Sequence, residues 1–249
     1  MVISPLEQFG IVPYLPFFYG NYFLSFTNSS LYLLLVASLL SLGFGFITQK
    51  GGKFLPSSWQ TLGELIYEFV LGLVENQIGA EGKKYFPLIF TTFVFILFSN
   101  LIGMIPYAFT PTSHFILTFG FSISFFIGIT LLGILKHQFH FFSLFLPPGA
   151  PLALAPFLVV IEVVSYCFRP ISLGVRLFAN MMAGHTLVKI LAGFGFEMLS
   201  HGGLLGLASI LPIGVIFALT GLEIAVAFLQ AYVFTILLCI YFNDAFNLH

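Results

Sequence analysis

The chain has 249 residues, of which 59% are hydrophobic, 18% aromatic and 7% charged, with a net charge of −1. Soluble domains carry roughly 25% charged residues, so this composition excludes a soluble enzyme. The near-zero charge excludes the basic footprint of a nucleic-acid partner, and Cys167 and Cys239, both in apolar runs, give neither a disulfide framework nor a metal site.

What remains is an all-α polytopic membrane protein, read as a single membrane domain over 1–249. The first positive charge is Lys50, so no secretory signal is expected. Residues 29–48 are uncharged and match the length of a bilayer core; they predict a first span, closed by a polar turn at 48–53. Residues 57–80 differ. Leu62, Leu65, Ile66, Phe69, Val70, Leu73 and Val74 recur at helical spacing with Glu64, Glu68 and Glu75 between them. That pattern predicts an amphipathic helix on the membrane surface or docked against a partner, and its acidic polar face suits docking. Residues 85–135 read as a transmembrane hairpin, 85–106 and 115–135, with Asn100 and Gly103 near the end of the first limb and a turn from Pro106 to His114. A Pro/Gly loop follows at 146–151.

Two apolar segments close the chain, 152–196 and 204–242. At about 1.5 Å per residue each exceeds the ~30 Å hydrocarbon core. Either each breaks into two upright spans or each is one long tilted helix; no polar turn interrupts either, apart from Pro170 and scattered glycines, which favours a pair of long tilted helices over 152–242, joined by a loop at 197–203. Five of the six lysines (Lys50, Lys53, Lys83, Lys84 and Lys136) fall on one side of this topology, which the positive-inside rule makes the inside. The N-terminus is then outside and the C-terminus inside. There is no internal repeat of the kind many secondary transporters carry.

Only two arginines occur, Arg169 and Arg176, and both lie in the first long segment. An arginine in hydrocarbon costs about 2.5–3.5 kcal/mol on insertion scales and cannot escape by deprotonating. At about 100° per residue, Glu162, Ser165, Arg169, Ser172 and Asn180 fall within about 40° of Arg176. One helix therefore carries a polar ribbon, with His185 on the opposite face. In the last helix Thr220, Glu223 and Gln230 share a face. Glu162, Arg169, Arg176, His185 and Glu223 form the expected buried ionisable set, and intramembrane carboxylates and imidazoles are the usual material of proton relays. Structural readings compete. Arg169 can pair with Glu162 on its own helix, Glu162 or Glu223 can join helices, His185 can be a satisfied polar residue, and Asn100 reads as a helix-packing hydrogen bond. Arg176 is the residue for which a structural reading is weakest.

The segment EVVSYCFRPISLGVRLFANMMAGH at 162–185, followed by EIAVAFLQAYVF at 223–234, closely resembles subunit a of F-type ATP synthases, whose mitochondrial form is also called subunit 6. The resemblance extends to SPLEQF at 4–9, the amphipathic helix and the Asn100–Gly103–Pro106 pattern. It implies a stator, without a catalytic site or cofactor of its own, beside a rotating ring of c subunits that each carry a mid-membrane carboxylate. It implies that Arg176 is the essential charge facing that ring, between two offset aqueous half-channels for protons. His185 and Glu223 then belong to the channel from the intermembrane space, and Glu162 to the channel toward the matrix. Asn180, Gln230, Ser165 and Arg169 are supporting polar residues. The implied partners are the c-ring, the peripheral stalk and other Fo subunits, and membrane lipid. The implied location is the mitochondrial inner membrane, with the N-terminus in the intermembrane space and the C-terminus in the matrix.

Two rivals remain at this point. A self-contained ion transporter should show repeats and broken helices in two halves. A non-transporting assembly subunit would have no reason to hold Arg176 and Glu223 in hydrocarbon.

Overall fold

A computed structural model describes residues 6–19, 22–48, 56–105, 108–145 and 155–246. The expected turns at 48–53 and 146–151 and the residues Pro106 and Tyr107 lie wholly or largely outside this set, as do Ser4 and Pro5. Among the described residues seven α-helices follow a short N-terminal hairpin: α1 (Asn28–Thr48), α2 (Ser58–Gln77), α3 (Phe86–Gly103), α4 (Phe115–His137), α5 (Ala155–His201), α6 (Gly203–Ala208) and α7 (Ile210–Phe246). Among the described residues five helices are long and apolar enough to cross a membrane. In hydrocarbon a chain must satisfy its backbone polar groups internally, and helices do so segment by segment. The protein is an all-α polytopic membrane protein.

The hairpin was not anticipated. Strands β1 (Pro13–Tyr19) and β2 (Tyr22–Thr27) pair antiparallel, with Tyr19 opposite Tyr22. Asn28 ties the preceding segment to the start of α1: its Nδ2 donates to the Gly10 carbonyl at 2.9 Å, and its Oδ1 accepts from the Ser29 N–H at 2.9 Å and the Val12 N–H at 3.3 Å.

The first long segment is one continuous helix, whereas the second breaks at Ser209 into the short α6 and the long α7. Helix α5 has 47 residues, about 70 Å at the standard rise, and α7 has 37. The expected loop at 197–203 is corrected: α5 runs on through Glu197 to His201, because polar residues there fold back onto the helix. The Ser200 hydroxyl donates to the Glu197 carbonyl at 2.8 Å, and the His201 ring bonds the same oxygen at 2.9 Å. The chain breaks at Gly202 and Gly203, which take left-handed φ values of +66° and +60°, a conformation glycine adopts without steric cost.

Two compact units can be separated. The first comprises residues up to Gly43, Phe95–His114 and Leu177–Ala231. Its core holds Val36, Ile96, Leu97, Leu177, Met181, Ala227 and Ala231. Fully buried Asn100 joins α3 to α7: its Nδ2 approaches the Ala227 carbonyl at 3.5 Å, and its Oδ1 accepts the Thr112 hydroxyl at 3.0 Å. The packing reading of Asn100 matches this arrangement.

The second unit comprises Phe44–Val94, Phe115–Arg176 and Tyr232 onward. Val70 and Val74 of α2, Ile89 of α3 and Phe234, Leu238 and Phe242 of α7 are buried in it. Here α4 and α5 approach closely. A Cβ on Gly174 would meet the backbone of Phe119 at 3.0 Å, and the Ser122 hydroxyl donates to the Pro170 carbonyl at 2.6 Å. Small residues and serine hydroxyls are what allow membrane helices to pack this tightly and to tolerate an internal proline. Outward-facing apolar residues remain in both units, such as Leu42 at 72%, Ile116 at 86% and Phe217 at 83% exposure, as expected of surfaces whose solvent is lipid.

Candidate functional site

In the first unit, His185 of α5 and Glu223 of α7 face each other. The ring Nδ1 lies 3.5 Å from Glu223 Oε1, with the side chains 15% and 11% exposed. The other ring nitrogen, Nε2, lies 3.0 Å from the Gly103 carbonyl and 3.1 Å from the Thr110 hydroxyl. A carbonyl oxygen only accepts, so a neutral ring bonded to Gly103 carries its proton on Nε2 and turns its Nδ1 lone pair toward Glu223. At 3.5 Å the contact across Nδ1 is long for a hydrogen bond. Next along the pair, Asn180 Nδ2 donates to Gln230 Oε1 at 2.8 Å. The partners of α5 and α7 run in opposite order, 180 with 230 and 185 with 223, so within this unit the two helices are antiparallel.

Two glycines create the space. Glu223 occupies the volume that a Cβ on Gly184 would take, with the carboxyl carbon 3.0 Å from it. A Cβ on Gly103 would meet the Thr110 side chain. Thr110, Thr112 and Ser113 are all buried. His114 stacks on Phe109 at 5.0 Å, and burial holds its imidazole below the usual histidine range.

In the second unit, Arg169 and Arg176 have different fates. Arg169 Nη1 donates to Asp244 Oδ2 at 2.7 Å. Its guanidinium lies 5.4 Å from each of the Tyr166 and Tyr241 rings, within reach of a cation–π contact. Tyr166 is itself bonded to Thr130, oxygen to oxygen at 2.9 Å. Arg176 is exposed, and among the described residues no hydrogen bond or ion pair engages it. Ser165 and Ser172 are also exposed, and Glu162 is half-buried. The ribbon inferred from helical spacing is thus an outward-facing strip near Arg176.

The chain matches a family model described as the ATP synthase A chain over residues 30–243. It belongs to that family. It is 62% identical, across the whole of both chains, to ATP synthase subunit a of Marchantia polymorpha. It is 58% identical to the protein of that name from Oenothera berteroana, covering 99% of this chain and 90% of the relative. With ATP synthase subunit a of Chondrus crispus it shares 50%, covering 100% and 98%. As a member of the ATP synthase A chain family it is a non-catalytic Fo subunit that assembles with other subunits of the complex.

Against this membership the site residues sort clearly. His185 with Glu223 and Asn180 with Gln230 are brought together. One expectation is corrected. Arg169 pairs with Asp244 of α7, not with Glu162, because the tertiary neighbour offers a 2.7 Å bond beside the Tyr166 and Tyr241 rings. Arg176 is exposed on this chain. Sequence reasoning missed Asp244, Thr110, Gly184, Tyr166 and Tyr241. For Asp244 a signal existed: it is the only aspartate of the chain, in a helix that is otherwise almost free of charge.

The Arg169–Asp244 bond gives a direct expectation. Arg169→Ala strands a half-buried carboxylate and should destabilise the reconstituted chain by about 1–3 kcal/mol. Arg169→Ala with Asp244→Ala should recover part of that loss, read as the unfolding midpoint in detergent titration. A double variant as unstable as the sum of the singles would show that the two groups are not coupled.

Proposed function

We propose that this subunit conducts protons at the edge of a ring of c subunits in the mitochondrial inner membrane, with Arg176 as the fixed charge facing the ring carboxylates. The observation that carries this reading is the contrast between the two arginines: one is locked in an ion pair, while the other is held outward on an apolar helix without a partner among the described residues. A cation so placed needs an anion from outside the chain, and a carboxylate at mid-membrane on another subunit is the matching group.

The chemistry follows from the cost of charge in hydrocarbon. A ring carboxylate can face lipid only when protonated, and can ionise only where a fixed positive charge and water meet it. Arg176 supplies that charge at one place and, because it keeps its proton, does not pass it on. Protons arrive through Glu223 and His185, where Nδ1 and the carboxylate hold an exchangeable proton between them. They leave past Glu162. Each charge that crosses gains about 2.3 kcal/mol per 100 mV. On this reading Asn180, Gln230 and Ser165 are supporting polar residues, and Arg169 holds α5 to α7 through Asp244.

Sidedness tests the two-channel arrangement. Single cysteines at 162, 185 and 223, in a background without Cys167 and Cys239, should react with membrane-impermeant thiol reagents. Positions 185 and 223 should react from the intermembrane-space side and position 162 from the matrix side. Labelling of all three from one side would overturn the assignment. Glu223→Gln should slow proton conduction without raising passive leak, since a relay group is lost while Arg176 stays in place; a leak above that of the parent complex would remove Glu223 from the path.

A further inference from the structure

A cleft of about 320 Å³, lined by no residue of the proposed proton path, opens in the second unit between the last turn of α1, the first turns of α2 and Phe90 of α3. Its floor is aromatic. Phe44 meets Phe90 edge-on at 5.5 Å, and Tyr67 lies against Phe90 at 6.0 Å, so the rings brace one another. Its rim is polar and rich in acceptors. The Glu64 carboxylate is steadied by Gln60, whose amide donates to it at 2.8 Å. The Thr48 hydroxyl spends its proton on the Phe44 and Gly45 carbonyls, at 2.9 and 3.2 Å, which leaves its lone pairs to the cleft. A carboxylate and a hydroxyl oxygen above aromatic rings form a site for an organic cation.

Position selects the kind of cation. Helix α1 is one of the five spanning candidates and ends at Thr48, so the cleft lies at the end of a span, at the level of lipid headgroups. An aromatic floor beneath an anionic rim matches a molecule that is apolar below and cationic above. We propose that this cleft binds the ammonium headgroup of a zwitterionic phospholipid, of the phosphatidylethanolamine or phosphatidylcholine class. The ammonium lies against Glu64 and Thr48, and the glycerol and upper acyl region lie on Phe44, Tyr67 and Phe90.

The test uses the intact ATP synthase complex reconstituted in lipid nanodiscs that carry a trace of photoactivatable phosphatidylethanolamine or, in parallel, photoactivatable phosphatidylglycerol, which has the same tails and no ammonium. The phosphatidylethanolamine probe should label the segment 58–67 about fivefold more than the phosphatidylglycerol probe, and Glu64→Gln should erase that preference, the scale expected for one ammonium–carboxylate contact near a surface. Equal labelling by the two probes in the parent complex overturns the proposal, and that comparison stands even if Glu64→Gln fails to assemble. Carbodiimide coupling of Glu64 to a lysine of another subunit also overturns it, since the cleft then belongs to a protein partner.

Discussion

Replacement of Arg176 by alanine is expected to abolish proton-driven ATP synthesis and to open a passive proton leak. On the proposed function, removing the guanidinium takes away the charge that stabilises an ionised ring carboxylate and lets a protonated one pass directly between the two access routes. Arg176→Lys should rescue poorly. The ammonium is a movable point on a flexible stem, lacks the planar fork that meets a carboxylate with two bonds, and sheds its proton readily when desolvated. The measurements are the ATP-synthesis rate and the passive proton flux of membranes carrying each variant. Synthesis at the parent rate in Arg176→Ala would refute the mechanism. Arg169→Ala should show a different profile, with weakened assembly and lowered rate but no leak of comparable size, since that charge is already neutralised by Asp244.

Gly184→Ala should cut proton conduction on the order of 10- to 100-fold, the usual consequence of moving a reacting group by about an ångström. The added methyl would occupy the place of the Glu223 carboxyl, whose Cδ and Cγ lie 3.0 and 3.2 Å from the ideal Cβ position. The clash falls on the end of a flexible side chain and not on backbone, so Glu223 gives way and swings from His185 Nδ1. Helix stability should not suffer, because alanine is better than glycine in a helix interior by about 1 kcal/mol. Normal amounts of assembled complex with depressed proton flux would mark displacement of the carboxylate. Unchanged flux would mean that the position of Glu223 opposite His185 is not used.

The spanning helices could be read from the sequence because hydrocarbon imposes a length and forbids charge, and both constraints are written locally. The helical periodicity around Arg176 was legible for the same reason: a step of about 100° per residue turns position along the chain into direction. That His185 points away from Arg176, and that Glu223 and Gln230 share a face, followed from the same step; their partners are now seen to be each other's helices. Pairings between helices were not legible. Arg169 and Asp244 are 75 residues apart, and spacing alone offered only Glu162, on the same helix. The end of α5 was misplaced because Glu197, Ser200 and His201 look like a polar loop, whereas the Ser200 and His201 side chains bond back to the Glu197 carbonyl of their own helix and the decisive signal was the Gly202–Gly203 pair. For the hairpin a cue was present: Gly20–Asn21 stands between two aromatic-rich runs, the arrangement that favours a two-residue turn.

The outward-facing charge at Arg176 also bears on how the chain survives its own biogenesis. A newly inserted copy that has not met its neighbours shows the membrane a guanidinium and two exposed serine hydroxyls on a helix otherwise made for lipid, at an insertion cost of about 2.5–3.5 kcal/mol for the arginine alone. That is a sizeable fraction of the 5–15 kcal/mol that holds a typical domain folded. An unassembled copy therefore carries that cost uncovered. Its lifetime should lengthen when the partner that covers that face is supplied, and the same substitution that destroys its activity, Arg176→Ala, should make the unassembled chain last longer.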